Sequence, residues 1–190
     1  MNIRSRAQKI KMILMDVDGT LTDGRLMLMP DGSEVKSYHV RDGMGILMAH
    51  LVGFKTGIIT GKTSPELVHR AHRLKILELH QGILDKKSVL DRILEKHDLS
   101  LEEIAYIGDD LGDLPILRNA GLAGAVSDAH PEVVKHSHYI CRARGGAGAV
   151  REFIEFIFDA QDKWDEVNSV VSRLTDPAID EDNTSDRSPR

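Results

Sequence analysis

The sequence predicts an α/β protein, a three-layer sandwich around a central parallel sheet, and three short apolar runs predict it. Met12 to Met15 leads into Asp16, Val17, Asp18, Gly19 and Thr20; Thr56 to Ile59 leads into Thr60, Gly61 and Lys62; Ile104 to Ile107 leads into Gly108, Asp109 and Asp110. Runs this short and apolar read as buried strands, and open α/β sheets place their chemistry at the carboxyl ends of such strands.

The first run carries the strongest signal. Residues i and i+2 leave a strand on one side, so Asp16 and Asp18 converge on a small volume in front of the sheet. Crowded carboxylates repel unless a cation sits between them or one holds a proton. A calcium loop starting at Asp16 is excluded, because its sixth and twelfth positions would be Leu21 and Met27, where Gly and Glu are required. After the second run, a Walker motif is excluded as well. Gly57 and Gly61 enclose three residues where four are needed. Two readings of Thr60 remain open: donation to a phosphate oxygen, or capping of a helix that starts near Ser64 and Pro65.

Lys86 opens a further helix after Asp85, a position the helix macrodipole disfavours for a cation. It is either a solvated surface lysine or the partner of a local anion. The third run ends in Asp109, Asp110 and, three residues on, Asp113. Three acids so close at a strand end suit a hard, oxygen-ligated cation such as Mg²⁺.

Other segments complete the fold. Arg25 to Met29 and Glu34 to Val40 flank a turn at Pro30, Asp31 and Gly32, giving a hairpin flap at about residues 24–40. Leu26, Met27, Leu28 and Met29 are very apolar for a protruding ribbon and predict packing on another subunit, the alternative being packing on its own domain. Ser100 and Glu103 form a capping box for a short helical turn before the third strand. From Ala149 to about Leu174, Val150, Phe153, Ile154, Ile157 and Phe158 recur at helical spacing, predicting one long amphipathic helix. Residues 1–175 form the globular domain, and 176–190, acidic and poor in bulky apolar residues, predict a disordered tail.

DVDGT, Thr60, Lys86 and GDDLGD, in that order at successive strand ends, resemble the haloacid dehalogenase superfamily of phosphotransferases over roughly residues 10–160. The resemblance implies Asp16 as nucleophile, Asp18 as general acid and base, Thr60 and Lys86 as holders of the transferring phosphoryl group, and Mg²⁺ bound by Asp16, the Asp18 carbonyl and Asp109. Asp110 and Asp113 either ligate through water or orient Lys86. An Asp at position 18 favours a phosphatase within that superfamily. Members usually carry a cap domain, and the segments from Thr22 to Lys55 and after Lys86 are too short for one.

TLTDG, His39 to Gly43 as HVRDG, TGK at Thr60, Arg70, DAHP at Asp128 to Pro131 and GGAGAVRE at Gly145 to Glu152 resemble the capless 3-deoxy-manno-octulosonate 8-phosphate phosphatases. That resemblance implies a phosphorylated sugar acid as substrate, a homotetramer as the assembly, and Asp18, His39, Val40, Arg41, Asp42, Gly43, Thr60, Gly61, Lys62, Arg70 and Lys86 near bound substrate. It also implies that a neighbour's Gly145 to Arg151 segment closes over the site. Lys62 stands where these enzymes often carry Arg, and Ala147 where some relatives carry a cation. A phosphatase of nine-carbon sialic-type acid 9-phosphates is therefore the alternative, and a catalytically silent assembly domain is the alternative from another class.

Composition sets the boundaries. The 190-residue chain has a net charge of −5, and the tail holds five acids against two arginines, so the body is close to neutral. Neither nucleic acid nor a membrane is expected as a partner. The absence of a signal peptide, of a transmembrane-length run and of any cysteine besides Cys141 leads to the cytoplasm as the expected location. His69 and His72 lack partners at zinc-ligand spacing.

Overall fold

Strand β1 (Met12–Met15) is buried along its whole length because both of its faces are covered. Ile13 and Met15 enter one apolar cluster while Met12 and Leu14 enter another, as the two-residue period of a strand requires. In the computed structural model, which describes residues 2–175, β1 lies in a six-stranded parallel sheet. Its companions are β4 (Lys55–Ile59), β5 (Glu78–His80), β6 (Ile104–Gly108), β7 (Leu122–Ala125) and β8 (Tyr139–Ile140), in the order β5-β4-β1-β6-β7-β8. The tail expected to be disordered lies outside the described residues.

Helices cover both faces. The Ile13 side packs against α1 (Ile3–Ala7), α2 (Val40–Leu51), α3 (Pro65–Arg73), α7 (Ala149–Ala160) and α8 (Trp164–Thr175) through residues such as Ile46, Leu67, Phe153 and Val167. The Met12 side packs against α4 (Lys86–His97), α5 (Leu114–Leu117) and α6 (Pro131–Lys135) through Val89, Leu90, Ile116 and Val133. This is the expected three-layer sandwich. No helix among the described residues is long and apolar enough to cross a membrane.

The strand order fixes the position of the site. From β1 the chain steps to β4 and β5 on one side and then returns to place β6, β7 and β8 on the other. The order reverses between β1 and β6, and ligands of open α/β sheets bind outside the carboxyl ends at such a switch point. Asp16 follows β1 and Asp109 follows β6, so both acids stand there.

Between β1 and α2 the only regular structure is a hairpin, β2 (Met27–Leu28) with β3 (Glu34–Val35), antiparallel and two residues long on each arm. No cap domain is present among the described residues. Leu26, Met27, Leu28, Met29 and Val35 are all exposed, so these apolar side chains are not covered by the described residues of their own domain.

The single long helix expected from Ala149 to Leu174 is two helices. The chain breaks at Gln161, where Asp162 takes a left-handed conformation with φ 52°. A straight helix of that length would run about 39 Å and carry its second half past the sheet. The turn instead brings Trp164 edge-on to Phe158, with ring centroids 5.8 Å apart, and returns Val167 to the same cluster. The Ser100–Glu103 capping box forms as expected, around a 3-10 turn at Leu101–Glu103.

Candidate active site

The chain turns sharply as it leaves β1. The amides of Thr20, Leu21 and Thr22 all donate to the Val17 carbonyl, at 3.2, 2.9 and 3.0 Å. Gly19, at φ +95°, makes the turn possible, and a Cβ there would sit 2.0 Å from Asp109 Oδ2. This turn lays the loop after β1 against Asp109, whose Oδ1 accepts from the Thr20 hydroxyl at 2.9 Å.

Asp16, Asp109 and Asp113 each bring a carboxylate oxygen within 4.8 Å of the others. Lys86, in the first turn of α4, reaches into the group: its Nζ donates to Asp16 Oδ1 at 2.6 Å and to Asp113 Oδ1 at 2.6 Å. Asp85 caps the same helix by accepting from the Ser88 amide, so the turn that presents Lys86 is fixed. Lys86 is buried, and of the two readings of its position the ion-paired one describes it.

Electrostatics follow from the crowding. Burial, then the charge of Asp113, push Asp16 up to about 6 against the opposing pull of Lys86. Burial, then the charges of Asp16 and Asp113, push Asp109 up to about 7. Burial works against the Lys86 ammonium, but Asp113 and Asp16 reverse that and raise its pKa. Carboxylates held this close and this dry suit a divalent cation, and hard oxygen donors suit Mg²⁺.

Asp113 is not free to be one of the ligands. Its Oδ1 accepts from Lys86 and from the Tyr106 hydroxyl at 2.6 Å, and its Oδ2 accepts from the amides of Asp109 at 3.0 Å and Asp110 at 3.2 Å. Of the two roles left open for it, orienting Lys86 matches the geometry. Asp110 caps the turn at Leu111–Asp113. Asp16 and Asp109 remain to hold a cation, with the carbonyl of Asp18 close by in sequence.

The other expected site residues fall into three places. Thr60, buried, and Gly61 follow β4, the strand directly beside β1. Lys62 and Arg70 flank the hairpin: Lys62 Nζ is 3.7 Å from Glu34 Oε2, and the Arg70 guanidinium lies 4.6 Å over the Tyr38 ring while donating to the His39 carbonyl. Arg70, Tyr38, Lys36, Glu66, His69 and Arg73 line a cavity of about 520 Å³.

His39 to Gly43 form the start of α2. His39 is its N-cap, Val40 and Arg41 are exposed, and Asp42 and Gly43 are buried. Asp42 accepts from the amides of Arg151 at 2.8 Å and Gly148 at 3.3 Å, so its carboxylate is engaged in holding the N-terminus of α7. Gly43 leaves room for Arg70, whose Nη2 would lie 2.9 Å from a Cβ.

The glycine-rich segment packs against the loop after β1 of its own chain. The Gly146 amide donates to the Thr20 carbonyl at 3.0 Å, and the Gly145 amide to Asp128 Oδ1 at 3.0 Å. A Cβ at Gly145 would lie 1.7 Å from the Gly19 carbonyl oxygen, so the contact requires glycine. With α7 also tied to Asp42, the segment buttresses the loop after β1 within one subunit.

Sequence reasoning missed Lys36, Tyr106 and Thr20. Lys36 Nζ contacts both carboxylate oxygens of Asp18, at 2.6 and 2.8 Å. The alternation Glu34, Lys36, Tyr38 was the available signal, since these residues share one side of the ribbon.

Buried carboxylates, one bridging lysine and a neighbouring hydroxyl at the switch point of a parallel sheet define a hydrolase framework for metal-assisted chemistry on anionic groups. Residues 58–154 match the haloacid dehalogenase-like hydrolases, and the chain belongs to this family. It is 39% identical over 165 residues to the 3-deoxy-D-manno-octulosonate 8-phosphate phosphatase of Escherichia coli K12, covering 87% of this chain and 88% of that protein. Among solved structures, the 3-deoxy-D-manno-octulosonate 8-phosphate phosphatase of Yersinia pestis is similar at a TM-score of 0.83 and 41% identity, covering 85% of this chain and 87% of that one. The corresponding phosphatase of Moraxella catarrhalis, solved with a magnesium ion, a phosphate ion and a KDO molecule, is similar at 0.86 and 38%, covering 89% and 97%.

Proposed function

We propose that this chain is a Mg²⁺-dependent phosphomonoesterase that hydrolyses 3-deoxy-D-manno-octulosonate 8-phosphate through an aspartyl phosphate on Asp16. The observation that carries this reading is the array Asp16, Lys86, Asp113, joined by contacts of 2.6 Å beside Asp109 at the switch point of the sheet. The named activity of its curated relatives supports the substrate.

In this reading Asp16 attacks phosphorus and the bond to the sugar oxygen breaks, while Asp18 gives its proton to that oxygen. Asp18 then takes a proton from water as the water oxygen attacks phosphorus, and the bond to Asp16 breaks to release phosphate. Thr60 and Lys86 hold the phosphoryl oxygens, and Asp113 with Tyr106 holds Lys86. Asp16, the Asp18 carbonyl and Asp109 hold Mg²⁺, which supplies charge neutralisation for the phosphoryl group when bound. Lys62 and Arg70 bind the carboxylate and hydroxyls of the sugar acid, and His39, Val40, Arg41, Gly43 and Gly61 line its approach. Asp42 contributes by fixing α7.

Residues 1–175 act as the phosphatase domain. The exposed apolar hairpin supports assembly into a homotetramer. The enzyme works in the cytoplasm, in the synthesis of the lipopolysaccharide sugar.

The test is Mg²⁺-dependent phosphate release from the eight-carbon 8-phosphate beside a nine-carbon sialic-type acid 9-phosphate, with Asp16→Asn as the blank. A strong preference for the eight-carbon substrate is expected. Preference for the nine-carbon acid reassigns the substrate, and release that survives in Asp16→Asn overturns the nucleophile.

A further inference from the structure

The hairpin is too small to stand alone, since ribbons with arms of two residues lack the pairing to be stable in water. Alternate residues of its return arm fasten it to the body. Glu34 meets Lys62 at 3.7 Å, Lys36 meets Asp18, and Tyr38 lies under Arg70 at 4.6 Å. The middle fastening is well covered: the Lys36 side chain is 4% exposed, although it lies on a ribbon whose apolar residues are exposed. Lysine gives up more rotamer freedom on burial than most side chains, so a lysine in this position is held by what it contacts.

That contact is specific. One ammonium engages both oxygens of the Asp18 carboxylate, at 2.6 and 2.8 Å, which fixes the rotation of the carboxylate as well as its position. A proton donor acts efficiently only when the donor oxygen faces the departing atom, and small misplacements are expensive. We infer that Lys36 is the positioning residue for Asp18, so that the hairpin and the proton-transfer group form one mechanical unit. This rests on the reading of Asp18 as general acid. Lys36 does not touch the reacting atoms: the proton passes from the Asp18 carboxyl to the sugar oxygen as its bond to phosphorus breaks, and Lys36 keeps the donor oxygen aimed.

Single-turnover cleavage with enzyme in excess tests this, using two substrates in the presence of Mg²⁺. The sugar-acid phosphate needs a proton on its leaving oxygen, whereas p-nitrophenyl phosphate releases a stable phenolate and does not. Lys36→Met is expected to slow the sugar phosphate by about tenfold or more while leaving p-nitrophenyl phosphate within about threefold, and Lys36→Arg is expected to recover most of the loss. Asp18→Asn should show the same substrate dependence in stronger form. Equal slowing of both substrates by Lys36→Met, a rise in KM with kcat unchanged, or no change would each overturn the inference. Equal slowing of both by Asp18→Asn would instead overturn the general-acid reading beneath it.

Discussion

Asp113 holds Lys86: its Oδ1 accepts from the ammonium at 2.6 Å, and the same ammonium reaches Asp16 at 2.6 Å. Both side chains of the Lys86–Asp113 pair are nearly inaccessible, at 8% and 2% exposure. Removing one member of a buried pair leaves the other charge dry and poorly compensated, which costs about 3–5 kcal/mol. Lys86 keeps Asp16, so Asp113→Ala should lose about 3 kcal/mol, the lower end of that range, in urea unfolding at pH 7. Under the proposed mechanism its kcat should fall with little change in KM, because a lysine without its brace would still meet the phosphoryl group but in scattered orientations.

Gly19 and Asp109 give a prediction on metal binding. Ala at position 19 would bring a methyl group 2.0 Å from Asp109 Oδ2 in a backbone at φ +95°, so Asp109 must move. The strained backbone should cost about 1–3 kcal/mol of stability. Mg²⁺ binding to the folded variant, followed by titration calorimetry, should weaken by at least about tenfold, in line with loss of a correctly placed ligand. Unchanged affinity would remove Asp109 from the ligand set.

Asp42 caps α7 from another helix, accepting from the Arg151 amide at 2.8 Å and the Gly148 amide at 3.3 Å. Its burial raises its pKa, and the two amides only partly offset that. Asp42→Ala leaves two partly buried amides of a helix N-terminus without this acceptor, so a loss of about 1–2 kcal/mol is expected in thermal unfolding. A variant as stable as wild type would mean that water replaces the carboxylate without penalty.

What could be read from the sequence follows from how local each signal is. β1 was legible because four apolar residues run straight into DVDGT, and Lys86 because Asp85 and the helix after it place it in a first turn. The break between α7 and α8 was not legible. Gln161, Asp162 and Lys163 include neither Gly nor Pro, and Asp162 is turned by packing of Trp164 on Phe158 that no local pattern records. Lys36 was hidden for a similar reason, as a lysine on a ribbon reads as solvated until Asp18 is placed beneath it. Asp113 was visible as an acid, but only the hydrogen bonds around it separate bracing from ligation.

Glu78 sets a pH dependence away from the site. Its buried carboxylate would be raised by burial, but Lys96, His97 and His80, at 2.6, 2.7 and 2.9 Å, hold it down at about 2. A carboxylate whose pKa is depressed in the folded state contributes stability above its unfolded pKa, and that contribution is lost as pH falls toward the folded value. The window here is about pH 4.5 down to about 2. Glu78→Gln should lose on the order of 2 kcal/mol at neutral pH, and the gap between the two proteins should close as acid is added through that window. A gap that stays constant from pH 7 to pH 2 would assign the effect to packing instead of charge.

The two arms of the hairpin differ, and the difference separates assembly from folding. The return arm is fastened to the body through Glu34, Lys36 and Tyr38, while on the outgoing arm Met27 and Leu28 stand 63% and 69% exposed. Because these two side chains touch little within the subunit, replacing both with Asp should leave the stability of the monomer within about 0.5 kcal/mol, as for surface substitutions generally. In an assembly they would be buried, and two carboxylates at each copy of the contact would face unpaired desolvation. Sedimentation velocity of the wild-type protein at micromolar concentration should therefore give a mass of several chains, and Met27→Asp with Leu28→Asp should shift it toward one. A wild-type protein that sediments as a single chain would exclude this apolar arm as an interface between copies and leave the exposed methionines without a partner of their own kind.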